Sequence, residues 1–78
     1  MRKIKTAVPL TDLKKGSTGT VKEINAGWDR KRKLFTLGIF PGEQVTLVQK
    51  NPVLLLKLGY SFVAVDHSLG KTIKVIEI

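Results

Sequence analysis

The sequence predicts a mainly β fold, a small, partly open barrel of about five strands with one short α-helix inserted after the first strand. Three observations lead there. Five short segments rich in Val, Ile, Thr and Leu recur with Gly or Pro between most of them. One stretch, about Asp29 to Leu37, has helical rather than alternating spacing. The chain has only 78 residues, enough for one domain whose sheet must curl on itself to close most of its edges around a small core.

The elements follow in order. Thr18 to Asn25 is the first predicted strand. In the helix, Leu34 and Leu37 share one face, and Gly38 falls where a left-handed C-terminal cap belongs. Pro41-Gly42 makes a turn into the second strand, Gln44 to Lys50, where Val45 and Leu47 alternate with polar residues. Val53 to Leu58 and Tyr60 to Val65 are the third and fourth strands, and Thr72 to Ile78 closes the domain with Ile73 and Val75 on one face. No repeat, linker or low-complexity segment divides residues 1–78.

One segment breaks the alternation. In Val53-Leu54-Leu55-Leu56-Lys57-Leu58 both faces read as apolar, so the outer one needs a cover. The cover is the N-terminal arm Ile4 to Val8, a second copy of the chain, or a partner. Leu54 and Leu56 therefore enter as candidate partner contacts, with homodimerisation through this hairpin as one form of that contact.

Fourteen Lys and Arg against six Asp and Glu give a net charge of +8, which fits an acidic partner: nucleic acid, an anionic membrane surface or an acidic protein face. With no cysteine there is neither a disulfide framework nor a thiolate metal site, which suits a reducing, cytoplasmic setting. The start, Met1-Arg2-Lys3-Ile4-Lys5, is basic, but no long apolar run follows it, and neither a signal peptide nor a membrane span is expected.

Asp29 suits a helix cap or first turn, yet Arg30-Lys31-Arg32-Lys33 follow it at the end where the helix dipole disfavours cations by a few tenths of a kcal/mol each. Local stability did not place them there. At about 100° per residue they sweep most of the circumference, so only two or three heads can share a direction. They are read either as a solvated helix start or as contacts to an acidic protein or to phosphates. Trp28, just before them, either packs the helix start against the core or serves as an exposed anchor. Phe35, Tyr60 and Phe62 are expected in the core, and Phe40, in the turn, at the surface. Tyr60 and Phe62 have the spacing of a base-stacking platform but no cation between them.

Catalysis is not expected. His67 is the only histidine, the six carboxylates are scattered, and no nucleophile–base set, phosphate-cradling loop or metal-ligand spacing is present. Asp66 and His67 are at most two adjacent metal ligands where a tight Fe(II) site needs about three or more, so His67 is assigned to a surface turn and no cofactor is expected.

The nine residues Leu34 to Gly42, L-F-T-L-G-I-F-P-G, resemble the L-x-x-L-G-I-x-P-G signature of the FeoA family, small proteins encoded with the bacterial ferrous iron transporter FeoB. Pro9-Leu10-Thr11-Asp12-Leu13-Lys14-Lys15-Gly16 with Gly19-Thr20-Val21 is similar to the family's opening P-L-x-x-L-x-x-G-x-x-G-x-V. Gly59-Tyr60 with Phe62-Val63-Ala64-Val65 looks like its G-Y-x-x-A-L segment, and Ile73 and Val75 fit its closing strand, so the likeness spans roughly residues 9–76. Two places depart from the pattern. Only Asn51-Pro52 stands where members carry a Gly/Asp-rich loop, and Asp66-His67-Ser68-Leu69-Gly70 replaces an Arg, acidic residue and Ala.

The resemblance implies an SH3-like barrel that docks on the cytoplasmic GTP-binding portion of FeoB and modulates ferrous iron uptake, with a family-level association to transition metal ion binding. The face expected to do so comprises Trp28, Arg30, Lys31, Arg32, Lys33, Phe40, Leu54 and Leu56. Similar domains occur as the C-terminal part of iron-dependent repressors; no helix-turn-helix is expected ahead of this one, which would then act alone. The alternative is a small basic barrel that binds nucleic acid, disfavoured by the poor interleaving of aromatics and cations.

Overall fold

Gly38 ends the helix as its spacing predicts. In the computed structural model, which describes residues 6–78, α1 runs Trp28–Thr36 and Gly38 adopts φ +93°, a conformation that only glycine takes without strain. The Gly38 N–H donates to the Phe35 carbonyl at 2.9 Å and the Ile39 N–H to the Leu34 carbonyl at 3.0 Å. That pair of bonds is a Schellman cap, and its accompanying apolar contact is supplied by Leu34 and Ile39, both fully buried. The chain then turns at Phe40–Glu43, where the Glu43 N–H donates to the Phe40 carbonyl, and enters a strand.

Six strands form one antiparallel sheet: β1 (Val8–Pro9), β2 (Thr18–Ile24), β3 (Gln44–Gln49), β4 (Leu54–Leu58), β5 (Ser61–Val65) and β6 (Ile73–Glu77). Their spatial order is β1-β6-β2-β3-β4-β5, so β6 returns to fill the place between β1 and β2. The expected five strands are all present, shortened by a residue or two, and α1 follows the first of them. β1 is an addition that sequence reading missed. A two-residue strand has no periodicity of its own and exists here because Val8 and Pro9 lie opposite Val75 and Lys74.

The core collects Leu10, Leu13, Val21, Ile24, Leu34, Ile39, Val45, Leu47, Leu54, Leu56, Val65, Leu69, Ile73 and Val75. β2 to β6 contribute alternate residues, and the irregularities have local causes. A register shift between Val21 and Glu23 leaves both Lys22 and Glu23 exposed and returns Ile24 to the core. The β4 register, Leu54↔Val65, Leu56↔Val63 and Lys57↔Phe62, sets Leu54 and Leu56 inward and Lys57 outward.

This corrects the place of Leu54 and Leu56 in the segment, whose outer side keeps exposed Val53 and half-buried Leu55. Leu54 and Leu56 are fully buried, and only Leu55, half-buried, is apolar on the outer face within the strand. They are core residues and not surface contacts. Of the N-terminal arm proposed as a cover, Ile4 and Lys5 lie outside the described residues, and Val8 pairs with β6 rather than with β4.

A second helix, α2 (His67–Gly70), also escaped the sequence reading, which placed a surface turn there. Its start is capped by Asp66, whose Oδ1 accepts from the Leu69 N–H at 2.7 Å. The cap seats Leu69 in the core and brings Gly70 against Leu54 so closely that a β-carbon there would collide with the Leu54 side chain. Replacing Asp66 with Ala is expected to cost about 1 kcal/mol, read as a fall in the urea midpoint at unchanged slope. A Leu69 amide insensitive to the change by NMR would contradict the capping role.

Candidate functional site

The four cations of α1 divide by helical geometry. Arg30 lies one turn before buried Leu34, and its guanidinium reaches across to α2, donating to Ser68 Oγ at 3.3 Å. Lys31 is half-buried, its stem lying one turn before Phe35. Arg32 and Lys33 point outward with Thr36 and Asp29, and the Thr36 hydroxyl donates back to the Arg32 carbonyl at 3.0 Å. So the run does not form one flat patch. Arg32 and Lys33 face solvent, Arg30 tethers a neighbouring helix, and Lys31 and Arg32 flank an aromatic surface.

That aromatic surface is the second component. Trp28 does not pack the helix start against the core: it occupies the first helical position after the Gly27 cap and is 64% exposed. Its ring meets Phe35 edge-on, with centroids 6.4 Å apart and planes at 78°. Phe35 in turn stacks on Phe40 at 5.4 Å and 20°. Phe40, 43% exposed, sits in the turn as expected. The Schellman cap makes the arrangement, because it reverses the chain so that the residue two after Gly38 returns over the last helical turn. Trp28, Phe35 and Phe40 thus form a continuous ledge along α1, bordered by Lys31 and Arg32, which lie three and four positions after Trp28.

Sequence reading assigned Phe35 to the core, and the structure packs it, half-buried, against the core and makes it also the centre of this ledge. The signal was available in its spacing, seven residues after Trp28, two helical turns on the same face. The other two aromatics expected in the core are at the surface. Tyr60, in the β4–β5 turn, is fully exposed, and Phe62 is 59% exposed on the outer face of β5 opposite Lys57. The turn lies near the end of α1, since a β-carbon at Gly38 would stand 3.8 Å from Leu58 Cδ1.

The residues weighed for metal binding do not fit one. Asp66 spends a carboxylate oxygen on the α2 cap, His67 is half-buried in the helix it starts, and among the described residues no three His, Asp or Glu side chains group where they could hold an ion. An open depression of about 350 Å³ lies between Lys15 and the β3–β4 connection, lined by Lys15, Gln49, Lys50 and Asn51. Its lining offers cations and amides but no acid–base pair. No helix among the described residues is long and apolar enough to cross a membrane.

Comparison with known proteins gives a consistent picture. The chain is similar to a crystal structure of an iron uptake regulatory protein, FeoA, at 23% identity and TM-score 0.87, covering 94% of this chain and 99% of that one. It is similar to an FeoA-like protein from Clostridium acetobutylicum, also at 23% identity, with TM-score 0.84 and coverage of 97% and 91%. A T. acidophilum protein, IdeR, matches at TM-score 0.88 and 16% identity over 100% of this chain but only 37% of its own. No curated protein sequence matches. The profile of the FeoA domain matches residues 8–77, nearly the whole chain, and the chain therefore belongs to the FeoA family.

Proposed function

We propose that this chain is an accessory protein of ferrous iron uptake that docks through the Trp28–Phe35–Phe40 ledge and its bordering cations on the cytoplasmic GTP-binding portion of an FeoB-type transporter, and thereby modulates transport. The observation that carries the reading is the ledge: an exposed Trp braced edge-on by a second ring, beside arginine and lysine, has the composition of a protein-binding centre. Family membership supports the iron-uptake setting. In this reading ferrous iron is the transporter's cargo and is not held by Asp66 or His67.

The test is a titration of the labelled protein with the soluble GTP-binding domain of the cognate transporter. Amide shifts are expected along residues 28–40. The double variant Arg32→Glu, Lys33→Glu is expected to weaken binding by about tenfold, mostly through a slower association rate that loses its salt dependence. Shifts confined to other faces, or none, would remove the docking proposal.

A second reading, nucleic-acid binding, gains from one observation: Phe62 and Tyr60 are exposed and Lys57 stands opposite Phe62, the cation that the linear sequence lacked. The same titration with a short DNA strand separates the two. A salt-steep response centred on residues 57–62 supports the nucleic-acid reading, and silence there removes it.

A further inference from the structure

The two edges of the sheet are built differently. β1 is two residues long and ends in Pro9, which has no N–H to offer a neighbour. β5 is five residues long, pairs with β4 at every position and, among the described residues, has no strand on its other side. Among the described residues, none of the backbone groups of Ser61 to Val65 bonds outside the β4 ladder, and no side chain bonds to them. In an antiparallel pair about half of a strand's N–H and C=O groups point away from its partner, so β5 presents a row of them to solvent.

Sheet proteins ordinarily blunt such an edge with a charge, a proline, a bulge or a cover. Ser61-Phe62-Val63-Ala64-Val65 contains no charged residue and no proline, and its register with β4 is unbroken. Phe62 and Ala64 are exposed, beside half-buried Leu55 across the ladder, giving an apolar strip for alternate side chains of an added strand. α2 follows immediately and packs back toward Leu54 and Thr11.

We propose that β5 receives an extended acidic segment of another protein as an added strand, a surface separate from the ledge on α1 and independent of what the ledge binds. The backbone row selects an extended chain, and the strip around Phe62 selects alternating apolar residues. Charge selects acidity. A second copy would bring another +8 to the same edge, whereas Lys57 faces outward beside Phe62 and finds a carboxylate on an acidic strand. Asp66, the acid nearest the strand's end, is turned into the α2 cap.

The experiment titrates the isotope-labelled full chain with a short synthetic peptide alternating Val and Glu. Controls are the same peptide with Lys in place of Glu, and one with alternate backbone nitrogens methylated. Amides of Ser61 to Val65 are expected to shift and alternate ones to exchange more slowly with solvent, only with the acidic, unmethylated peptide. Phe62→Glu, at an exposed position, is expected to weaken the acidic peptide about tenfold by placing a like charge on the edge and removing the apolar ring, and Ala64→Glu is expected to do the same. Three results overturn the proposal: no response in β5, an equal response to the Lys or methylated peptide, or protection of β5 by self-association in the absence of any peptide.

Discussion

Leu56→Ala is expected to bring this domain close to unfolding at 25 °C. Leu56 is fully buried, paired with Val63 on one side and Leu47 on the other, at the centre of the β3–β4–β5 part of the sheet. Truncating a buried leucine costs about 2–5 kcal/mol, the lost transfer energy plus the cavity left behind. At roughly 0.05–0.15 kcal/mol per residue the whole domain has about 4–12 kcal/mol to lose, so the substitution removes a large share of it. A loss of 3 kcal/mol corresponds to a fall in Tm of about 12–24 °C for a domain this small. Urea and thermal unfolding followed by circular dichroism measure it directly, and a loss under about 1 kcal/mol would show that Leu56 is not packed as described. The result also governs how binding data are read. Weakened partner binding by a Leu54 or Leu56 variant reports a damaged fold, so neither residue can serve to locate an interface.

The physical reason those two leucines were read as surface contacts is instructive. Composition alone made Val53 to Leu58 look apolar on both faces, but parity settles the matter: Lys57 must face water, which places Leu56 and Leu54, one and three residues earlier, inward. The same parity places Phe62, directly opposite Lys57, outside with it, although its hydrophobicity argued for the core. Register was needed to see this, and register depends on the partner strand. The helix end was legible because its determinants are local: Leu34, Gly38 and Ile39 lie within six residues and carry the cap by themselves. β1 and α2 were not, since one is defined by its pairing with β6 and the other is a single turn fixed by one Asp66 bond. Of the candidate site, Trp28, Arg32, Lys33 and Phe40 stand exposed as a binding face requires, while Arg30 is engaged with Ser68 and the central Phe35 was missed.

Trp28→Ala separates binding from folding in the opposite sense to Leu56→Ala. Trp28 makes no contribution to the buried core, and its ring contact with Phe35 is an exposed one, so its loss is expected to change stability by no more than about 1 kcal/mol. Binding to the transporter's GTP-binding domain is expected to fall far more. Trp is enriched among the few interface residues whose truncation costs about 2 kcal/mol or more, and the edge-on contact with Phe35 holds this ring in place before a partner arrives. A loss of about 2 kcal/mol is roughly a thirtyfold rise in Kd. The mechanism predicts where the change falls in the kinetics: an aromatic anchor acts on the dissociation rate, whereas the Arg32 and Lys33 charges act on association. Surface plasmon resonance on Trp28→Ala, with a parallel unfolding curve, reads both. A loss under threefold at unchanged stability would exclude the ledge as the centre of the interface. A matching collapse of stability would instead mean that Trp28 braces the helix, and the exposed ring would owe its place to folding.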